Sequence, residues 1–191
     1  MVHFRRLLVA LVVATAWLAT VAAPASAGDG NKDNSGRHGE GRHPSLVGTI
    51  HGAGGAVMDA ASPLKGTTTY SIDAKLFSDG SATGFFDCAD LAGSTAEGDI
   101  FGPITSWKKV DGKIALSGTA ELWNLGRTVR LDPRNLNYTV TIQKFGGAGV
   151  GHWTLDVPAY QTPTDPPICS ELLTSGHLVG KGKLFRQRDD E

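Results

Sequence analysis

Four stretches of the chain alternate apolar and polar residues with a period of two. Tyr70, Ile72, Ala74 and Leu76 alternate with Ser71, Asp73 and Lys75. Ile114, Leu116, Gly118, Ala120 and Leu122 alternate with Ser117, Thr119 and Glu121. Tyr138, Val140 and Ile142 alternate with Thr139, Thr141 and Gln143, and Trp153, Leu155 and Val157 with Thr154 and Asp156. Successive side chains of a strand point to opposite faces, so each run predicts a half-buried strand. Downstream of the first 27 residues no segment carries the 3.6-residue apolar stripe of an amphipathic helix.

Turn chemistry joins these runs into hairpins. Asp79-Gly80 separates 67–77 from 81–89, Asp111-Gly112 separates 99–110 from 113–123, and Gly146-Gly147-Ala148-Gly149 separates 136–145 from 150–157. Asp-Gly and Gly-rich pairs supply the positive φ angles of tight hairpins. The segment 123–135, WNLGRTVRLDPRN, reads as a loop or an extra strand around Val129. Adding 45–52 and 175–186 gives about eight strands. The expected fold is therefore all-β: an antiparallel meander closing into a small barrel or a two-sheet sandwich. The two outer strands both mix glycine with aliphatics, Leu46-Val47-Gly48-Thr49-Ile50-His51-Gly52 and His177-Leu178-Val179-Gly180-Lys181-Gly182. Their pairing would close the sheet and remove its edges.

The same alternation sorts the interior. Gly48, Gly52, Ala74, Gly118, Ala120, Gly180 and Gly182 fall on the inward face. Such small residues either leave room for an apolar ligand or let the barrel collapse onto Phe86, Leu116, Ile142 and Trp153. A closed pocket of about 300 Å³ or more would favour the first case, a lipocalin-like carrier of a small apolar molecule.

The ends of the chain are different. Arg5 and Arg6, an apolar run from Leu7 to Leu18 and the small-x-small sequence Ala25-Ser26-Ala27 have the layout of a secretory signal peptide over 1–27. Residues 28–44, GDGNKDNSGRHGEGRHP, hold too little apolar surface to offset ordering entropy and predict a flexible leader. Within it Asp29, Asn31, Asp33 and Glu40 fall at calcium-loop positions 1, 3, 5 and 12, but Asn34 stands where glycine belongs and no helix precedes them, so a polar leader is the better reading. The single β-domain then covers 45–186, with a frayed tail over 187–191. An extracellular location follows as an expectation, without a membrane anchor, since no later apolar run is long enough to span a bilayer.

Without 1–27, sixteen Lys and Arg stand against nineteen acids, a balance of −3. That sign argues against a nucleic-acid partner; Lys108-Lys109 and Lys181-x-Lys183 are too sparse to track phosphates. The expected partner is an unidentified extracellular ligand or protein. Cys88 and Cys169 are the two cysteines. In an oxidising compartment they predict a disulfide closing a loop of about 80 residues, worth at most about 4 kcal/mol; two buried thiols, or a bond to another chain, are the alternatives.

The order of these elements resembles the secreted bacterial β-domains of the post-COAP type. The resemblance is carried by GTIHGAGG, YSIDAKLFSDGSATGFFDC, ITSWKKVDGKIALSGTAEL, YTVTIQKFGGAGVGHWTLDV and SGHLVGKGKL, and spans 46–185. The chain departs from that pattern in lacking an Asn-Gly-type third turn and in its Pro-rich insert 158–170. The resemblance implies an exported β-domain with no assigned catalytic residues.

Candidate chemistry is sparse. His51 and His177, placed where strand one ends and strand eight begins, are weak metal candidates, with His152 expected at the opposite end. No Gly-x-Ser-x-Gly or Ser-x-x-Lys motif occurs, and Asp73, Asp87, Glu121 and Asp156 fall on outward positions. Trp107, Trp123 and Tyr160 are candidates for a sugar platform, while Trp153 is in phase with the core. The sequence thus points to a non-catalytic binding or accessory module without a cofactor, with the apolar carrier and, behind it, an extracellular hydrolase as alternatives.

Overall fold

In β2 (Thr67–Phe77) every second residue, from Thr68 to Leu76, is buried, as the alternation predicts. The computed structural model describes residues 43–186; the signal peptide, nearly all of the leader and the tail lie outside the described residues. The other strands are β1 (Leu46–Met58), β3 (Ser81–Asp90), β4 (Gly98–Val110), β5 (Lys113–Trp123), β6 (Arg130–Lys144), β7 (Gly146–Gly147), β8 (His152–Asp156), β9 (Cys169–Leu173) and β10 (His177–Lys181). All pairings are antiparallel, and eight strands close into a barrel with two short additional strands.

Closure runs through β1, which pairs with β2 on one side and with β9 and β10 on the other. β9 and β10 are one strand interrupted by a bulge, in which the Thr174 and Ser175 amides both donate to the Gly55 carbonyl. The expected pairing of first and last strands is therefore present, and a closed barrel replaces the sandwich alternative.

Three strands differ from the sequence reading, the last of them starting at Cys169, as β9, rather than at 175. β1 runs on to Met58, because Gly54 and Gly55 keep their partners Tyr70 and Thr69 instead of ending the strand. β6 begins at Arg130, six residues before the expected start, and Pro133 sits in an irregular stretch where Leu122 pairs with Asp132 and Ala120 with Leu136. A bulge tolerates proline because no ladder donor is needed there.

The waist of the barrel is filled with aromatic rings. Phe86 stacks on Tyr138 at 5.3 Å between centroids and meets Trp153 edge-on at 5.6 Å, while Tyr70 lies 6.0 Å from Trp153. Phe86, Leu116, Ile142 and Trp153, expected as the large inward residues, are all fully buried. The inward glycines Gly48 and Gly180 do not leave a ligand space. Phe185, in the 3-10 turn Lys183–Phe185, takes it: a Cβ on Gly48 or Gly180 would lie 2.8 or 2.5 Å from its ring.

Sharp coiling of so small a barrel brings neighbouring backbones together. A Cβ on Gly118 would lie 1.9 Å from the Pro103 carbonyl oxygen, beside the bulge at Thr105. Tyr138, the cross-strand partner of Gly118, covers the bare backbone and donates its hydroxyl to that same carbonyl at 3.1 Å. Gly118→Ala must push backbone against backbone, and is expected to lower unfolding free energy by about 2–3 kcal/mol. Tyr138→Phe, which loses one hydrogen bond, should cost about 1 kcal/mol. Urea denaturation of both variants checks the ranking.

Candidate functional site

The connections sort by length to opposite ends of the barrel. At one end lie the tight reversals at 78–80, 111–112 and 148–151; Asp111 and Gly112 both take positive φ, as a two-residue hairpin requires. At the other end lie the longer loops 59–66, 91–97, 124–129 and 157–168. Between these longer loops, above the aromatic waist, is a cavity of 470 Å³. Its walls are mainly Leu64, Ile100, Leu122, Leu131, Leu155 and Ile168, with Cys88, Asp90 and Cys169 among them.

The mouth is held open by polar contacts on its rim. Tyr160, which lines the cavity, donates its hydroxyl to Asp132 at 2.6 Å, and Arg134 holds the same carboxylate from β6 at 2.6 Å. The Arg134 guanidinium, then the Tyr160 hydroxyl, keep the Asp132 carboxyl well below the usual carboxylate range. Across the rim, Arg127 adopts a positive φ of 55° in the loop 124–129. That conformation lays its guanidinium 3.8 Å from the Phe101 ring centre and against the carboxylates of Asp99 and Asp87.

Three polar side chains converge at the cavity wall. A ligand atom from each of Cys88, Asp90 and Glu171 lies within 4.8 Å of the other two. Alternation aims Cys88 and Asp90 inward from the end of β3, and Glu171 inward from β9. Glu171 is fully buried; one of its oxygens accepts the Thr68 hydroxyl at 3.0 Å and the other has no partner. One oxygen of Asp90 is likewise buried without a partner. Neither carboxylate has an ion-pair partner among the described residues. Loss of water pushes both carboxyls up to about 7, with neighbouring acids adding to the effect on Glu171. Burial pushes the Cys88 and Cys169 thiols up as well.

The expected disulfide is not formed in this structure: Cys88 and Cys169 are both free and buried. The sequence reading did place both at one location, since they line the same cavity. The histidines do not make a site together. His51 pairs with Asp73 on β2 at 2.8 Å, while His177, exposed on the other neighbour of β1, has Ala53 as its register partner. Because β1 extends to Met58 and the last strand starts at Cys169, both histidines sit along the strands and away from the mouth. His152 lies nearer that mouth than expected: its Nε2 is 2.9 Å from Asp59 and 3.0 Å from Ser170, whose hydroxyl also donates to Asp59 at 3.0 Å. Burial pushes the Asp59 carboxyl up, but bonds from the Ala61 amide, Ser170 and His152 outweigh it and hold it low. The trio has the residue types of a serine hydrolase without the relay, because one ring nitrogen faces both partners and Ser170 is buried. It is a clamp fastening the 59–66 loop to β8 and β9.

Trp107, Trp123 and Tyr160 do not share a platform. Trp107 donates to the Phe77 carbonyl at the tight-turn end, and Trp123 donates to Glu121. Outward-facing Asp73, Asp87, Glu121 and Asp156 serve surface pairs or loop contacts. Sequence reasoning missed Asp90 and Glu171; the available signal was an acid at an inward position in each strand, two residues from a cysteine.

No protein family, curated protein or solved structure matches the chain.

A carboxyl whose pKa is raised on folding stabilises the fold while both states hold the proton. The unfolded chain ionises near pH 4.5, so stability declines from there as pH rises to about 7 and then levels off. For Glu171 the loss amounts to about 3 kcal/mol. In metal-free buffer the wild type should therefore weaken between pH 4.5 and 8, and Glu171→Gln should lose about half as much, because Asp90 still gives up its proton over the same range. Urea midpoints collected across that range test the sign.

Proposed function

We propose that the protein is a secreted, non-catalytic carrier that holds a small, largely apolar molecule in the long-loop mouth of its barrel. The observation that supports this reading is the 470 Å³ cavity, within the range of small-molecule sites, with aliphatic walls and a few polar groups at one side. Its volume exceeds the roughly 300 Å³ expected of a carrier pocket, although it opens at the mouth rather than being closed. A hollow of 730 Å³ beside Phe185 at the opposite end is shallow and open to solvent, and does not enclose a ligand. The rest of the interior is closed by rings, which limits a ligand to the outer part of the barrel. Export is read from the N-terminal segment, and the post-COAP resemblance agrees with it in implying an exported β-domain.

An environment-sensitive apolar dye, or a fluorescent fatty-acid analogue, should bind saturably at one site per chain. Leu122→Trp, on the half-buried cavity wall, should weaken that binding at least tenfold, about 1.4 kcal/mol, with an unchanged circular-dichroism spectrum. Phe185→Ala, at the far end, should leave the affinity as it was. Absence of saturable binding to the wild type, or equal binding by Leu122→Trp, overturns the carrier reading.

A further inference from the structure

The geometry points to a binding site for one borderline-soft divalent cation of the zinc class, held by Cys88, Asp90 and Glu171 at the wall of the mouth cavity. Three observations lead there. Ligand atoms of the three residues already lie within 4.8 Å of one another. The tetrahedral shell of such an ion has thiolate donors at about 2.3 Å and carboxylate donors at about 2.0–2.2 Å, so small side-chain shifts complete it. Glu171, fully buried, keeps one oxygen without a hydrogen bond, and Asp90 keeps another. A buried carboxylate oxygen without a donor needs a partner, and no cationic side chain is paired with either acid among the described residues.

The donor set selects the ion. Calcium and magnesium take six or more oxygens, whereas one sulfur and two carboxylates suit zinc or a neighbouring transition metal. Two of the three donors line the cavity, so the fourth position opens onto it, with Cys169 on an adjacent stretch of wall. Binding requires the thiolate, so the Cys88 proton leaves to solvent as the metal–sulfur bond forms, with no change of oxidation state. This site stands apart from the carrier reading, because metal loading is measured with no apolar molecule present.

Titration of the full chain with Co²⁺ under reducing conditions tests it. One Co²⁺ per chain should bind with tetrahedral visible absorption and a thiolate-to-cobalt charge-transfer band, both displaced by Zn²⁺. Glu171→Gln and Asp90→Asn should each weaken binding at least tenfold. Cys88→Ser should abolish the charge-transfer band, and Cys169→Ser should retain one ion per chain. Should Cys88→Ser fail to fold, the wild-type band and the Glu171→Gln affinity decide the matter. Cobalt bound without the charge-transfer band, or undiminished affinity in Glu171→Gln, overturns the site. So does isolated protein that carries no metal and has a mass lower by two hydrogens, because a Cys88–Cys169 disulfide would then have consumed the sulfur donor.

Discussion

Everything in this fold depends on both edges of β1 being occupied. On one side its residues from Leu46 to Val57 pair with β2; on the other it is shared between β9 and β10. An open sheet with this sequence would expose a row of unpaired amides and one face of its aromatic residues. Once the ring is closed, alternation has a single consequence: inward residues have nowhere to go but the axis, and their volumes must add up. Phe86, Tyr138 and Trp153 fill the middle, and Phe185 supplies from the C-terminal turn what the inward glycines omit.

The two ends then diverge for reasons of chain length. Tight reversals add few side chains at their end. Loops of six to twelve residues at the opposite end stand off from the axis. They are fixed there by polar fasteners: Asp132 with Arg134 and Tyr160, Arg127 with Asp87 and Asp99, and Asp59 with His152 and Ser170. Fastened loops cannot collapse into the mouth, so the cavity is a product of connection length and rim chemistry rather than of small inward residues. Beside the inward glycines Gly48 and Gly180 of the outer strands, the ring of Phe185 occupies the room.

How far the chain could be read follows from how local each determinant is. The Asp111-Gly112 turn, the alternation of β2 and β5 and the inward phase of Trp153 need only neighbouring residues, and they were legible. The length of β1 beyond Gly52 was not, because what keeps Gly54 and Gly55 in a strand is the register with Tyr70 and Thr69. Nor was the early start of β6, where a bulge hides Pro133 from the ladder. Glu171 was hidden for a similar reason: Ser170-Glu171-Leu172 follows a Pro-rich insert and looks like a loop end until β8 and β1 pair with it. His51 and His177 were placed at strand ends that moved once both strands lengthened.

The thiols and acids at the mouth pose a question of cost. An unpartnered buried polar group costs about 1–3 kcal/mol, and a carboxylate more if it is charged. Natural folds stand on stabilities of only about 5–15 kcal/mol, so two such acids are a heavy load for a domain of this size. Glutamine at 171 would keep the shape and ease the load. Rules of local consistency are broken mainly where a site uses the broken group. Here the two acids without a cationic partner share one wall of one cavity, beside two thiols; elsewhere among the described residues the buried polar side-chain atoms without a hydrogen bond are one Asp99 oxygen, whose carboxylate pairs with Arg127, and the Trp153 ring nitrogen. That confinement is what a binding wall would look like, and it is not what random drift in a packed core would leave behind.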